Sequence, residues 1–213
     1  MRSADISKLT TLLPNLPTIW EGKECVLELK AVDYNWRQME WWAFYFEFKA
    51  RELLKDAFTI PGDKYDTVRF DLKGEINWDF KSHAIKGNSH SIILNDKSAM
   101  EQSITAHGKH GEIIALCDVE YNDHDRSFQK WHSELKGGKS KYEAKREART
   151  SCSRYRKTRA ELVEIVLVTL DADALKTLPT MRQGINSNGK PRPEKYMLDL
   201  EKLNAYGHRI IKL

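Results

Sequence analysis

Residues 66–85, DTVRFDLKGEINWDFKSHAI, decide how the rest of the chain is read. Val68, Phe70 and Leu72 alternate with Arg69 and Asp71, and after Lys73-Gly74-Glu75, Ile76, Trp78 and Phe80 alternate with Asn77, Asp79 and Lys81. Alternation of period two on both sides of a short turn predicts a half-buried β-hairpin. Successive side chains of a strand point to opposite faces. The six apolar residues are therefore expected to face a core, and Asp71, Asp79 and Lys81 to gather on the other face.

That polar trio has a chemical meaning. Two neighbouring carboxylates repel unless a cation lies between them, and Mg²⁺ takes oxygen ligands from one or two carboxylates plus substrate phosphates. Lys81, two residues beyond Asp79, shares its strand face and can reach a phosphate or an attacking water. A metal and a lysine together suit hydrolysis of a phosphodiester.

Asp71 followed by Asp79-Phe80-Lys81 on the paired strand resembles the D…(D/E)xK active site of the PD-(D/E)xK nucleases, which include most type II restriction endonucleases. The resemblance covers residues 40–125. Phe70 stands where the family pattern has proline, and the gap from Asp71 to Asp79 is short; Asp63 and Asp66 are rival first carboxylates, although Asp66 shares the phase of Val68 and Phe70. The resemblance implies an Mg²⁺ site made by Asp71, Asp79 and the Phe80 backbone carbonyl, with Lys81 orienting or deprotonating the attacking water. It also implies a glutamate from the preceding helix. That helix is expected from about residue 36, capped by Asn35 and ending near Lys55-Asp56, within the aromatic stretch YNWRQMEWWAFYFEFKARELL (34–54). Its density of aromatics reads first as core or dimer interface. Glu47 is the position that matches the family's glutamate, because an ionised carboxylate among apolar neighbours is costly to bury alone; Glu40 and Glu52 are the alternatives. Gln38 and Met39 at the start of the helix are candidates for reaching DNA bases or wedging into a stack.

Elsewhere, residues 4–13 read as a short helix stopped by Pro14, and 22–32 fit either helix or strand. After the hairpin, Ile92-Ile93-Leu94 is a short apolar run. Asn95-Asp96 read as the cap of a helix, KSAMEQSITAHG, closed by Gly108. Residues 112–121 (EIIALCDVEY) and 161–170 (ELVEIVLVTL) read as buried strands, 171–178 as a helical turn, and 194–206 as a final helix before a basic tail. A helix between two strands requires a parallel pairing and a covered sheet. The expected class is α/β (α+β): a mixed central sheet with an αβββαβ restriction-endonuclease-like core flanked by helices, in a single domain over 1–213 with its core at about 36–170.

Residues 136–159, KGGKSKYEAKREARTSCSRYRKTR, hold ten Lys/Arg against two Glu. The segment therefore carries +8 and the rest of the chain −4 of the total +4. Residues 141–157 can form a helix, and such density is the electrostatic footprint of a phosphate backbone, with Lys136, Lys139, Lys141, Arg154 and Arg156 as candidate contacts. An acidic membrane surface fits less well, because the segment has almost no large apolar face. The loop 182–196, RQGINSNGKPRPEKY, presents side-chain types that read base edges, namely Arg182, Gln183, Asn186, Asn188, Lys190 and Arg192.

Three scattered cysteines without CxxC spacing point to reduced thiols. There is neither a signal-like start nor a long apolar run, so a cytoplasmic protein without a membrane segment is expected. The seven histidines lack HExxH or cysteine-paired spacing and read mostly as loop and surface residues, His124 and His132 in a polar loop and His110 at a helix end.

Together these features predict an Mg²⁺-dependent, site-specific endonuclease cutting double-stranded DNA in a restriction system, working as a homodimer on palindromic sites. The alternatives are a structure-specific repair or junction nuclease with the same active site, and a non-catalytic nucleic-acid-binding protein.

Overall fold

The computed structural model describes residues 3–62, 69–86, 90–121, 124–138, 144, 148, 155–185 and 189–213. Ser3 accepts a hydrogen bond from the Ile6 amide and starts α1 (Ala4–Leu12), which tightens at Pro14 into a 3₁₀ turn over Leu13–Asn15. A short strand β1 (Ile19–Glu21) leads into α2 (Gly22–Ala31), where Cys25, Val26 and Leu29 form one buried face; this settles the ambiguous segment as a helix.

The aromatic helix α3 (Trp41–Leu54) begins about five residues later than expected. Asn35 does not cap it, because its backbone is left-handed (φ 44°) and the chain turns through 36–40 first. Trp41, Trp42, Tyr45, Phe46, Ala50 and Leu54 make its buried stripe. The aromatics are core: Phe46 meets Phe80 edge-on at 5.6 Å, and Trp20 packs on both Tyr45 and Phe46.

The predicted hairpin forms, with β2 (Leu72–Lys73) antiparallel to β3 (Asn77–Ala84) and the Gly74 amide bonded to the Ile76 carbonyl across the turn. Its first arm is only two residues long as a strand. Phe70 departs from the expected alternation: its half-buried ring lies 5.4 Å from that of His110 instead of in the main core. Next come β4 (Ser91–Asp96), α4 (Lys97–His107) with Gly108 in the left-handed closing position, and β5 (His110–Glu120). As a helical crossover requires, β3 and β5 are parallel, with Asn77 opposite His110 and Asp79 opposite Glu112.

The chain continues through α5 (Ser127–Leu135), β6 (Arg159–Leu170), α6 (Ala172–Thr177), β7 (Thr180–Arg182), β8 (Glu194–Asp199) and β9 (Gly207–Lys212). The helix expected at 194–206 is instead β8 followed by a 3₁₀ turn, and the basic tail is β9. Tyr196 and Leu198 are buried while Lys195 and Met197 are only half-buried, a period of two that overrides the helical spacing of Leu200 and Leu203.

The protein is of the α/β class, with a mixed six-stranded central sheet (β1-β6-β5-β3-β2, and β9 also on β6) flanked by helices. A smaller sheet, β4-β8-β7, holds the apolar run 92–94. One face of the central sheet packs with α1, α2 and α3 through Trp78, Phe80, Ile113, Ala115 and Leu167. The opposite face buries Ile114, Val166 and Val168 with Met100, Leu94 and Leu198 from α4 and the smaller sheet. Cys25 and Cys117 are buried free thiols; Cys152 lies outside the described residues. Among the described residues no helix is long and apolar enough to cross a membrane.

Asp5, buried in α1, holds the hairpin to this core. Its Oδ2 accepts the Ile76 amide at 3.2 Å and the Trp78 indole N–H at 3.0 Å. Gly74 makes room for it, since a Cβ there would sit 2.3 Å from Asp5 Oδ1. Asp5→Ala orphans both donors and is expected to cost about 2 kcal/mol or more. A lower urea midpoint at unchanged m-value is the expected result; an unchanged midpoint would show that water replaces Asp5 at no cost.

Candidate active site

On the β3–β5 pair, period two places Asn77, Asp79 and Lys81 on the same face as His110, Glu112 and Ile114. The register therefore sets two carboxylates side by side, Asp79 and Glu112, with an imidazole one step before and an ammonium one step after. Asp79, His110 and Glu112 are almost entirely enclosed, at 3%, 0% and 0% exposure. His110 Nε2 lies 3.3 Å from Asp79 Oδ2 and 3.3 Å from Glu112 Oε1. Lys81 Nζ is 3.7 Å from Glu112 Oε2 and 3.3 Å from the Phe80 carbonyl oxygen.

Asp71 joins from the β2 side. Its amide bonds to the Trp78 carbonyl at 3.1 Å, and its Oδ2 accepts the Phe80 amide at 2.9 Å, so the carboxylate caps β3 where the short β2 ends. Glu47 enters from α3, held by the Tyr34 hydroxyl, which donates to it, and by Arg51 at 3.8 Å one helical turn on. Asn95, at the end of β4, donates to Asp79 Oδ2 at 2.8 Å and to the Arg69 carbonyl at 2.7 Å. The Asn95-Asp96 pair therefore does not cap α4 through a side chain. Of Glu40, Glu47 and Glu52, Glu40 is bound to Lys157 and Trp42 and Glu52 to Lys55, and only Glu47 turns to this cluster.

The electrostatics follow from burial of like charges. Burial, reinforced by Glu47 and Asp79, pushes the Asp71 carboxyl up to about 8. Burial also raises Glu47, against the Tyr34 hydrogen bond and Arg51. For Asp79, burial is outweighed by Lys81 and His110, which hold its carboxyl below the usual range. Burial opposes charge on Lys81 and His110, but the surrounding carboxylates prevail and raise both, His110 to about 9. Among the described residues, four carboxylates thus share one space with Lys81, Arg51 and His110. A divalent cation is the chemically natural complement.

Compared with family models, curated proteins and solved structures, the chain matches none. The site must therefore be read from its own geometry.

Asp71, Asp79, Lys81 and Glu47 are brought together. Asp63 and Asp66 lie outside the described residues. So do Lys139, Lys141, Arg154, Asn186 and Asn188, and most of the helix expected at 141–157. Gln38 and Met39 are exposed in the turn before α3, not on its first turn. Lys136 is half-buried at the end of α5, and its carbonyl accepts from Arg37. Arg156 is buried at 5% exposure, which removes it from the surface set of phosphate contacts. Lys157 and Arg159 are tied to Glu40 and to Glu21, Glu120 and Glu161, so the end of the basic segment serves structural ion pairs. Arg182, Lys190 and Arg192 are exposed and Gln183 is half-buried in the β7–β8 hairpin, closed by the Arg192 amide to the Gly184 carbonyl. Since β8 pairs with β4, which delivers Asn95 to Asp79, this hairpin is coupled to the cluster through two strands.

Two central residues were not anticipated. His110 is no surface histidine, and Glu112 is no ordinary strand position. The signal was present: in His110-Gly111-Glu112 the polar residues share one face at the start of an otherwise apolar strand, where an ionised carboxylate is as costly as at Glu47. His132 is likewise not in a loop; it is buried in α5 with Nε2 2.8 Å from the Trp36 carbonyl oxygen, a structural contact.

Proposed function

We propose that this chain is an Mg²⁺-dependent endonuclease of the PD-(D/E)xK type, cutting double-stranded DNA at specific sites as a cytoplasmic homodimer of the type II restriction class. The observation that carries the reading is the convergence of Asp71, Asp79 and Lys81 from paired strands with Glu47 from the preceding helix. Asp71, Asp79 and the Phe80 carbonyl would hold Mg²⁺, with Glu47 contributing directly or through water. A bound Mg²⁺ supplies Lewis-acid stabilisation of the phosphoryl oxygens and a more acidic water. Lys81 positions the attacking water and a phosphate oxygen, and Tyr34 and Arg51 keep Glu47 aimed into the cluster. In the reaction the water oxygen bonds to phosphorus, one P–O ester bond breaks, and the leaving oxygen takes a proton. The β7–β8 hairpin, with Arg182, Gln183, Lys190 and Arg192, is the part offered to base edges.

The test is cleavage of linear phage DNA and of a synthetic four-way junction by the purified chain with Mg²⁺. Discrete fragments from linear duplex are expected. Cleavage of the junction alone would replace sequence specificity by structure specificity, and no cleavage of either with any divalent metal would overturn the enzymatic reading.

A further inference from the structure

The carboxylate set that suits Mg²⁺ leaves two features of the cluster unexplained. Among the described residues, neither oxygen of the fully enclosed Glu112 has a hydrogen-bond partner, and His110 Nε2 lacks one too although it faces two carboxylates. At 3.3 Å from both carboxylates Nε2 is within ion-pair distance, yet neither contact is formed as a directed hydrogen bond. The two Nε2 distances also suit ligands of a shared ion. Asp79, His110 and Glu112 each offer one atom, all within 4.8 Å of one another, and Nε2 lies 3.3 Å from one oxygen of each carboxylate. Ligands bound at about 2.0–2.2 Å to a common ion stand about 3.0–3.6 Å apart in octahedral or tetrahedral geometry.

We propose that Asp79, His110 and Glu112 form a second metal site, selective for a first-row transition ion of the Mn²⁺-to-Zn²⁺ series over Mg²⁺ and sharing Asp79 with the oxygen-only set. The selectivity follows from ligand type: an imidazole joined to two carboxylates favours transition metals, whereas Mg²⁺ prefers oxygen ligands alone. The outer layer that such a histidine needs is also present. Its other nitrogen, Nδ1, lies 3.3 Å from Ser103 Oγ, which receives the Asn77 amide at 3.0 Å. With Nδ1–H given to Ser103, the ring presents its Nε2 lone pair to the ion, as metal-bound histidines do. Three protein ligands leave at least one position open, the pattern of a catalytic and not a structural ion. The inference is independent of the nuclease reading except in sharing Asp79, because an ion bound here would bind whether or not the chain cuts DNA.

The experiment is Co²⁺ titration followed by visible absorption, with pulsed EPR of bound Mn²⁺, on tag-free protein checked for folding by circular dichroism. One ion bound with direct ¹⁴N coupling is expected. That coupling should vanish in His110→Gln and persist in Asp71→Asn, and Ser103→Ala should weaken binding about 10- to 100-fold. Binding without ¹⁴N coupling in the wild-type protein would overturn the proposal even if His110→Gln failed to fold. So would failure of either ion to bind, or binding lost in Asp71→Asn but kept in His110→Gln. A nitrogen-coupled ion in a protein that cleaves no DNA would leave this site standing and remove the nuclease reading.

Discussion

Lys81→Ala is expected to lower the single-turnover rate of DNA cleavage about 10²- to 10⁴-fold, the range for losing a positioned proton-transfer or water-orienting group. Lys81 sits two residues past Asp79 on the same face of β3, with Nζ 3.7 Å from Glu112 Oε2. Among the described residues it faces four carboxylates together with Arg51 and His110, and it is the one of these that lies two residues past Asp79 on β3. DNA binding should fall far less than the rate, because the charged groups exposed to a duplex lie on other elements. A Lys81→Ala rate equal to wild type would place the chemistry elsewhere, with His110 the first residue to examine.

Gly111→Ala should produce the largest loss of stability among single-methyl changes. Gly111 stands opposite Trp78 in the parallel β3–β5 pair, and an added Cβ would lie 2.2 Å from Trp78 Cε3 and 2.3 Å from Cδ2. The ring is fully buried and pinned to Asp5 through its indole N–H. It has nowhere to go, so the strands must part or the indole must leave its site. Overpacking of this kind costs about 3 kcal/mol, which for a chain of this size is about 6–12 °C in Tm. The same displacement would separate Asp79 from Glu112, so ion binding should weaken along with stability. Thermal melts of Gly111→Ala and of the Gly111→Ala/Trp78→Leu double variant check this. A Gly111→Ala protein melting with the wild type would show that the sheet yields at this point without strain.

Much of this architecture was legible because one-dimensional periodicity maps directly onto strand faces. The alternation of 76–81 placed Trp78 and Phe80 inward and Asp79 and Lys81 together, and the apolar runs at 112–121 and 161–170 became β5 and β6. Other features depended on tertiary partners that local pattern does not reveal. Asn35 looks like a cap, but its left-handed backbone delays α3. Residues 194–199 carry apolar spacing compatible with a helix and instead form a strand laddered between β4 and β7. The site was half legible for a related reason. Asp71, Asp79 and Lys81 lie within one hairpin, whereas His110 and Glu112 reach it only through the α4 crossover and the β3–β5 register. The rule that singled out Glu47, a carboxylate stranded among apolar neighbours, applies equally to Glu112.

We propose the Asp71–Asp79–Lys81 face of the β-hairpin as a metal-dependent phosphodiesterase centre. Its most direct test is parallel incubation of wild-type, Asp79→Ala and Lys81→Ala proteins with phage DNA and Mg²⁺, each shown to be folded. Discrete fragments from the wild type and intact DNA from both variants are the predicted result. Equal fragments from all three would contradict it, and so would intact DNA from all three with every divalent metal tried.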